Sequence, residues 1–153
     1  MEVVKKILYI DMDGVLVNFQ SGIDKLTKEE LEKYAGQEKN APHIFSKMDP
    51  IEGAIDAYVQ LAQKYNTYIL STAPWHNETA LGDKVVWAKK HLGDAIYKRL
   101  IFSHNKHLNE GHFLIDDRPH RNGAGDFKGE LIHFGSDKFP NWDHVLDYLL
   151  NIN

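Results

Sequence analysis

Short apolar runs of β-forming residues alternate along the chain with longer stretches whose apolar positions recur at helical spacing. Runs at 7–10, 67–70, 100–102, 113–115 and 131–134 predict strands. Several are near-continuous in apolar residues, as expected of parallel strands covered on both faces. Between them, Ile51, Ile55, Tyr58 and Ala62 mark one helix face, with Asp49 as N-cap, Pro50 at the first helical position and Glu52 completing the start signal. Leu81, Val85, Ala88 and Leu92 mark a second helix, stopped by Gly93, and Trp142, Val145, Leu146 and Leu149 a third. These stripes read as core faces. The order of elements predicts an α/β fold, a Rossmann-like parallel sheet flanked by helices.

Residues 19–48 break the alternation: they are polar and carry a capping box, Thr27 with Glu30, ahead of Leu31 and Tyr34. They predict a small helical cap inserted after the first strand, with 1–18 and 49–153 forming the core. Because this insertion follows the richest motif of the chain, it is expected to act as a lid over a site.

Composition narrows the function. The 153 residues suit one domain able to bury roughly 70% of its unfolded surface. With no cysteine, thiol catalysis, disulfides and Cys-ligated metals are excluded. A net charge of -4 and pI near 6.1 argue against duplex nucleic acid or acidic lipid as partner and leave a small molecule. No apolar run exceeds four residues, so neither a membrane span nor a secretory segment is expected, and the chain reads as soluble and cytoplasmic. Oligomeric state is not legible.

The densest chemical signal is Asp11-Met12-Asp13-Gly14-Val15, directly after the first predicted strand. Ligands of open α/β sheets bind at the carboxyl ends of strands, and the glycine permits a sharp turn there. One aspartate can attack phosphorus while the other protonates the leaving oxygen. A calcium loop fits poorly, since its glycine stands sixth and this one fourth. Three further strand ends add to the pattern: Ser71 and Thr72, then Lys106, then Asp116, Asp117 and Arg118. Hydroxyl and ammonium donors suit phosphoryl oxygens, and carboxylates from two strands suit magnesium. Four carboxylates against Lys106 and Arg118 leave a formal sum of minus two, which would repel a phosphate dianion unless a cation joined them.

The set Asp11-Met12-Asp13-Gly14, Ser71-Thr72, Lys106 and Asp116-Asp117 resembles the four motifs of the haloacid dehalogenase-like (HAD) superfamily. More narrowly, DMDGVLVNF from Asp11, PIEGA from Pro50, LSTAP from Leu70, LIDDRP from Leu114 and WDHVL from Trp142 resemble the 5'(3')-deoxyribonucleotidases, over nearly the whole chain. The resemblance implies a phosphatase of nucleoside monophosphates, deoxyribonucleotides first among them, working through an aspartyl-phosphate. Asp11 would be its nucleophile and Asp13 its acid and base. Mg2+ would be held by Asp11, the Asp13 carbonyl and Asp117, with Asp116 close by. Lys106 would bridge phosphate and nucleophile; either Thr72 or Ser71 would bind phosphate, depending on whether Pro74 or the strand end anchors the alignment. Base contacts would fall on Phe19, Ile44 and Phe45, with Arg118 also at the substrate. Two departures stand out: the cap is shorter than the family's, and Ile44 occupies a position where an aromatic is expected. Trp75 could supply a platform for the base or pack against the cap.

Other signals reduce to simpler readings. His104, His107 and His112 match no closed zinc pattern, and Gly123-Ala124-Gly125 reads as a turn. The rivals to a nucleotidase are a HAD phosphatase for sugar phosphates or nucleic-acid 3' ends, and a non-catalytic phosphate- or nucleotide-binding module. A receiver domain would place its accepting aspartate on a later strand.

Overall fold

In the computed structural model, which describes residues 3–153, five parallel strands form one sheet. They are β1 (Ile7–Ile10), β4 (Asn66–Ser71), β5 (Leu100–Phe102), β6 (Phe113–Asp116) and β7 (Glu130–His133), in the order β5-β4-β1-β6-β7. The chain builds outward from β1 to one edge through β4 and β5, then returns to build β6 and β7 on the other side. This reversal opens a crevice at the carboxyl end of β1.

Helices α3 (Ala54–Lys64), α4 (Ala80–Leu92) and α5 (Trp142–Asn151) pack their apolar sides into one core with Leu8, Ile10, Ile69, Ile115 and Ile132. Strand side chains alternate between faces, so Tyr9, Leu70 and Leu114 point the other way. There they meet Ala124 and Phe127 from the segment after β6, which covers the second face without a long helix.

Two helix readings shift. Asp49–Pro50 is a short strand, β3, paired antiparallel with β2 (Val17–Asn18), and α3 begins only at Ala54, after Gly53. The long-range pairing uses the residues that local capping rules assign to a helix start, while Asp49 pairs with Lys25 at 2.9 Å. In α4 the buried face is Ala80, Lys84, Trp87, Ala88 and Leu92, whereas Leu81 is half exposed. Trp87 decides the rotation: its indole is buried and donates to the Met48 carbonyl at 2.9 Å. The last strand lies one residue earlier than its apolar run, with Phe134 buried just beyond it.

The β2–β3 pair clasps the start and end of the inserted segment, which carries α1 (Phe19–Ile23), α2 (Lys28–Lys33) and 3-10 turns at Glu38–Asn40 and Ile44–Lys47. The expected capping box opens α2, with Thr27 accepting from Glu30 N–H and Glu30 from Thr27 N–H. Leu26, Ala41, Ile44, Phe45 and Met48 belong to the same hydrophobic core as β1 and α3. Asn77 donates to the Lys39 and Ala41 carbonyls, and His43 N–H to the Thr79 hydroxyl. The segment borders the crevice and shares the hydrophobic core of the sheet. Among the described residues no helix is long and apolar enough to cross a membrane.

Candidate active site

The crevice is a cavity of about 530 Å³, within the size range of small-ligand pockets. Asp11 sits just past β1, its N–H continuing the ladder to the Ile115 carbonyl at 2.9 Å. The chain then turns tightly: the N–H groups of Val15, Leu16 and Val17 all converge on the Met12 carbonyl. That turn brings both Asp11 and Asp13 to the cavity. Gly14 has φ +76°, and a Cβ there would lie 2.0 Å from Asp117 Oδ2. Backbone sign and close approach both demand glycine. Gly14→Ala is expected to cost about 2 kcal/mol or more and to displace Asp117; a chemical denaturation midpoint equal to wild type would refute this.

Lys106 is buried, on a 3-10 turn after β5, where its N–H is anchored on the Asn122 carbonyl at 2.7 Å. Its ammonium bridges Asp11 at 3.1 Å and Asp116 at 2.7 Å. Burial alone would lower its pKa, but Asp11 and Asp116 outweigh that and raise it. Asp116 spends its other oxygen on the Arg118 N–H at 2.8 Å. Both Asp116 oxygens are thus engaged, placing it behind the cavity, which Asp11, Asp13 and Asp117 border directly.

Oxygens of Asp11, Asp116 and Asp117 lie within 4.8 Å of one another. Burial pushes the Asp11 carboxyl well above its ordinary value; Lys106 pulls it back, while Asp116, Asp13 and Asp117 push it further. Asp117 is raised by burial and by Asp116. Crowded, desolvated oxygen donors of this kind fit a hard divalent cation such as Mg2+. Such crowding has a measurable cost. A carboxyl that holds its proton more tightly when folded adds stability below its ordinary 3.8, and that contribution is lost as pH climbs through the raised value. In chelator, the melting temperature is expected to fall over that rise, with Asp11→Asn flattening the fall and magnesium opposing it; identical profiles for the two proteins would refute the crowding.

At the end of β4, Thr72 borders the cavity and donates to the Ser103 carbonyl at 2.7 Å. Ser71 is fully buried, lies outside the cavity lining and accepts from Lys84. Phe19 and Phe45 line the cavity edge to face, with centroids 6.0 Å apart. Ile44, next to them in sequence, is fully enclosed in the core and lies outside the lining, which removes it as a base contact. Trp75 is 81% exposed and meets the His104 ring at 5.8 Å, so it stands at the mouth instead of packing under the cap. Arg118 also lines the mouth, joined by Gln37, Lys39, Arg121 and Asn122, which the sequence pattern does not single out. His112 accepts the Ile7 N–H at 3.0 Å, which makes it a structural residue.

The residue that sequence reasoning missed is Lys84, only 1% exposed, with its ammonium 2.9 Å from Asp13 Oδ2. A signal existed: Ala80, Lys84, Trp87 and Ala88 share a helix face, and Trp87 would have fixed which face is inward. Counting Lys84 changes the formal sum of the four aspartates, Lys106 and Arg118 from minus two to minus one, and Glu38, Lys39 and Arg121 on the lining bring it to zero.

A parallel sheet with aspartates at the end of its first strand and a bridging lysine defines a HAD-fold hydrolase. The structure of YfnB from Bacillus subtilis, a protein assigned as a HAD-hydrolase and solved with magnesium, superposes with a TM-score of 0.65 at 13% identity, over 98% of this chain and 100% of that one. A hydrolase from Streptococcus pneumoniae TIGR4 gives 0.55, also at 13% identity, over 98% of this chain and 100% of that one. The profile of the cytosolic type C 5' nucleotidases, "5' nucleotidase, deoxy (Pyrimidine)", matches residues 22–148. A Vibrio phage KVP40 protein assigned as a 5'(3')-deoxyribonucleotidase is 54% identical, over 97% of this chain and 87% of its own. The human cytosolic 5'(3')-deoxyribonucleotidase is 25% identical, over 90% of this chain and 77% of its own. The chain belongs to this family of nucleotide phosphatases.

Proposed function

We propose that the chain hydrolyses nucleoside monophosphates, deoxyribonucleotides first among them, through a phospho-enzyme on Asp11. The observation that carries this reading is the pairing of Asp11 and Asp13 on one turn, with Lys106 on the first, at the floor of a cavity walled by Phe19 and Phe45. An Asp11 oxygen attacks phosphorus as the bond to the nucleoside oxygen breaks, and that oxygen takes the proton of Asp13. Asp13, now a carboxylate, accepts a proton from the water that attacks the aspartyl-phosphate. Inorganic phosphate leaves and Asp11 is regenerated. Lys106 offsets charge on the nucleophile and on the transferring group. Mg2+, held by Asp11, Asp117 and the Asp13 carbonyl, would neutralise phosphate charge. Phe19 and Phe45 give the nucleoside an apolar wall, Trp75 a platform at the mouth, and Arg118 a cation near the phosphate.

The test is phosphate release from deoxy- and ribonucleoside monophosphates, sugar phosphates and a 3'-phosphorylated oligonucleotide, with magnesium or excess chelator. Magnesium-dependent turnover favouring deoxynucleotides is expected. Preference for sugar phosphates or oligonucleotide ends would overturn the substrate assignment, and full activity in chelator would overturn the metal.

A further inference from the structure

We propose that Lys84 positions Asp13 for proton transfer to the leaving group. The three N–H bonds of its ammonium find three acceptors, Asp13 Oδ2, Ser71 Oγ and the Thr72 carbonyl, each at 2.9 Å. The Phe45 ring lies 4.6 Å away, adding a cation–π contact from the cap. No donor of the ammonium is left over, so its position is set from three sides and Asp13 Oδ2 is held with it. Asp13 Oδ1, by contrast, is buried and has no protein partner. Asp13 is thus fixed through Oδ2, and Lys84 sets where its carboxyl stands at the edge of the cavity.

A purely structural side chain is a poor account of Lys84. It lies on the face of α4 that otherwise buries Ala80, Trp87, Ala88 and Leu92. Burying an ammonium there costs more than burying an apolar chain of similar length. Its location also parallels that of Lys106: each aspartate of the turn is held by its own buried lysine. The same helix carries Trp87, which fastens the cap, so the proton donor and the cavity wall are built on one element.

This inference rests on the proposed roles of Asp11 and Asp13, and leaving groups separate the two. A nucleoside alkoxide needs a proton as its bond to phosphorus breaks, whereas p-nitrophenolate leaves without one. The parameter kcat/KM reports only steps up to departure of that group, so later hydrolysis does not blur it. For Lys84→Met, kcat/KM for a deoxynucleoside monophosphate is expected to fall roughly 100-fold and that for p-nitrophenyl phosphate no more than about threefold. In an Asp13→Asn background, Lys84→Met should add little further loss. An equal loss on both substrates, or none, would overturn the inference while leaving the phosphatase assignment intact. No turnover of either substrate by wild type would overturn that assignment and this inference with it.

If Lys84→Met does not fold, Ser71→Ala decides. It removes one acceptor that holds the ammonium, and a several-fold loss confined to the nucleotide is expected. A loss of equal size on both substrates, or no loss, overturns the role of Lys84.

Discussion

Replacing Asp11 with asparagine is expected to lower turnover by roughly six orders of magnitude without unfolding the chain, the scale seen when a covalent nucleophile is removed. The amide has the shape of the carboxylate but no anionic oxygen to attack phosphorus. The surroundings tolerate the change because Lys106 retains Asp116 at 2.7 Å and no buried ammonium is left unpaired. The substitution also relieves crowding. Asp11 is buried, with Asp13, Asp116 and Asp117 all raising its pKa against the pull of Lys106. Asp11→Asn should therefore melt in chelator at or above the wild-type temperature near neutral pH. Phosphate release and thermal melting on the same preparation check both halves. Turnover well above a mock purification would overturn the nucleophile; a large drop in melting temperature would overturn the account of crowding.

The strand ends were legible because they obey a rule independent of packing detail: in a parallel sheet, polar residues that follow apolar runs gather at one edge. Asp11, Thr72, Lys106 and Asp117 are brought to one cavity from four separate strand ends. What was less legible depended on partners distant in sequence. Asp49–Pro50 carries a helix-start signature but pairs with Val17–Asn18, because closing the base of an insertion uses the same backbone groups. Lys84 is not marked by the sequence because Leu81, Val85, Ala88 and Leu92 suggest one stripe, while Trp87 and its bond to Met48 select another. Ile44 and Phe45 are neighbours with opposite environments: one is sealed in the core and the other faces both cavity and Lys84.

The inserted segment borders the cavity while sharing its core with the sheet. Its apolar residues would bury little surface among themselves. By joining Ile44, Phe45 and Met48 to the core shared with α3 and α4, the fold stabilises the wall as part of the sheet's own packing. The Asn77 amide and the Trp87 indole, both buried, satisfy cap carbonyls that would otherwise be stranded. Gln37 and Lys39 consequently reach the cavity from a segment with no apolar periodicity to announce it.

Asp13→Asn tests the second half of the chemistry and is expected to give a different signature from Asp11→Asn. Asparagine keeps an oxygen for Lys84, so the hydrogen bond at 2.9 Å and the turn around Gly14 can persist. It carries no proton to give to an alkoxide and accepts none from water. Nucleotide hydrolysis should fall by about 10²- to 10⁴-fold, the range for removal of a general acid–base group. With p-nitrophenyl phosphate the first step needs no acid, so Asp11 is still phosphorylated while the hydrolytic step stalls. Rapid mixing should therefore show a burst approaching one nitrophenolate per chain, followed by slow release, with phosphate retained on the protein. Asp11→Asn should show no burst. Steady, burst-free turnover by Asp13→Asn at the wild-type rate would remove Asp13 from proton transfer, since the same carboxylate cannot be dispensable to water and required by the leaving group.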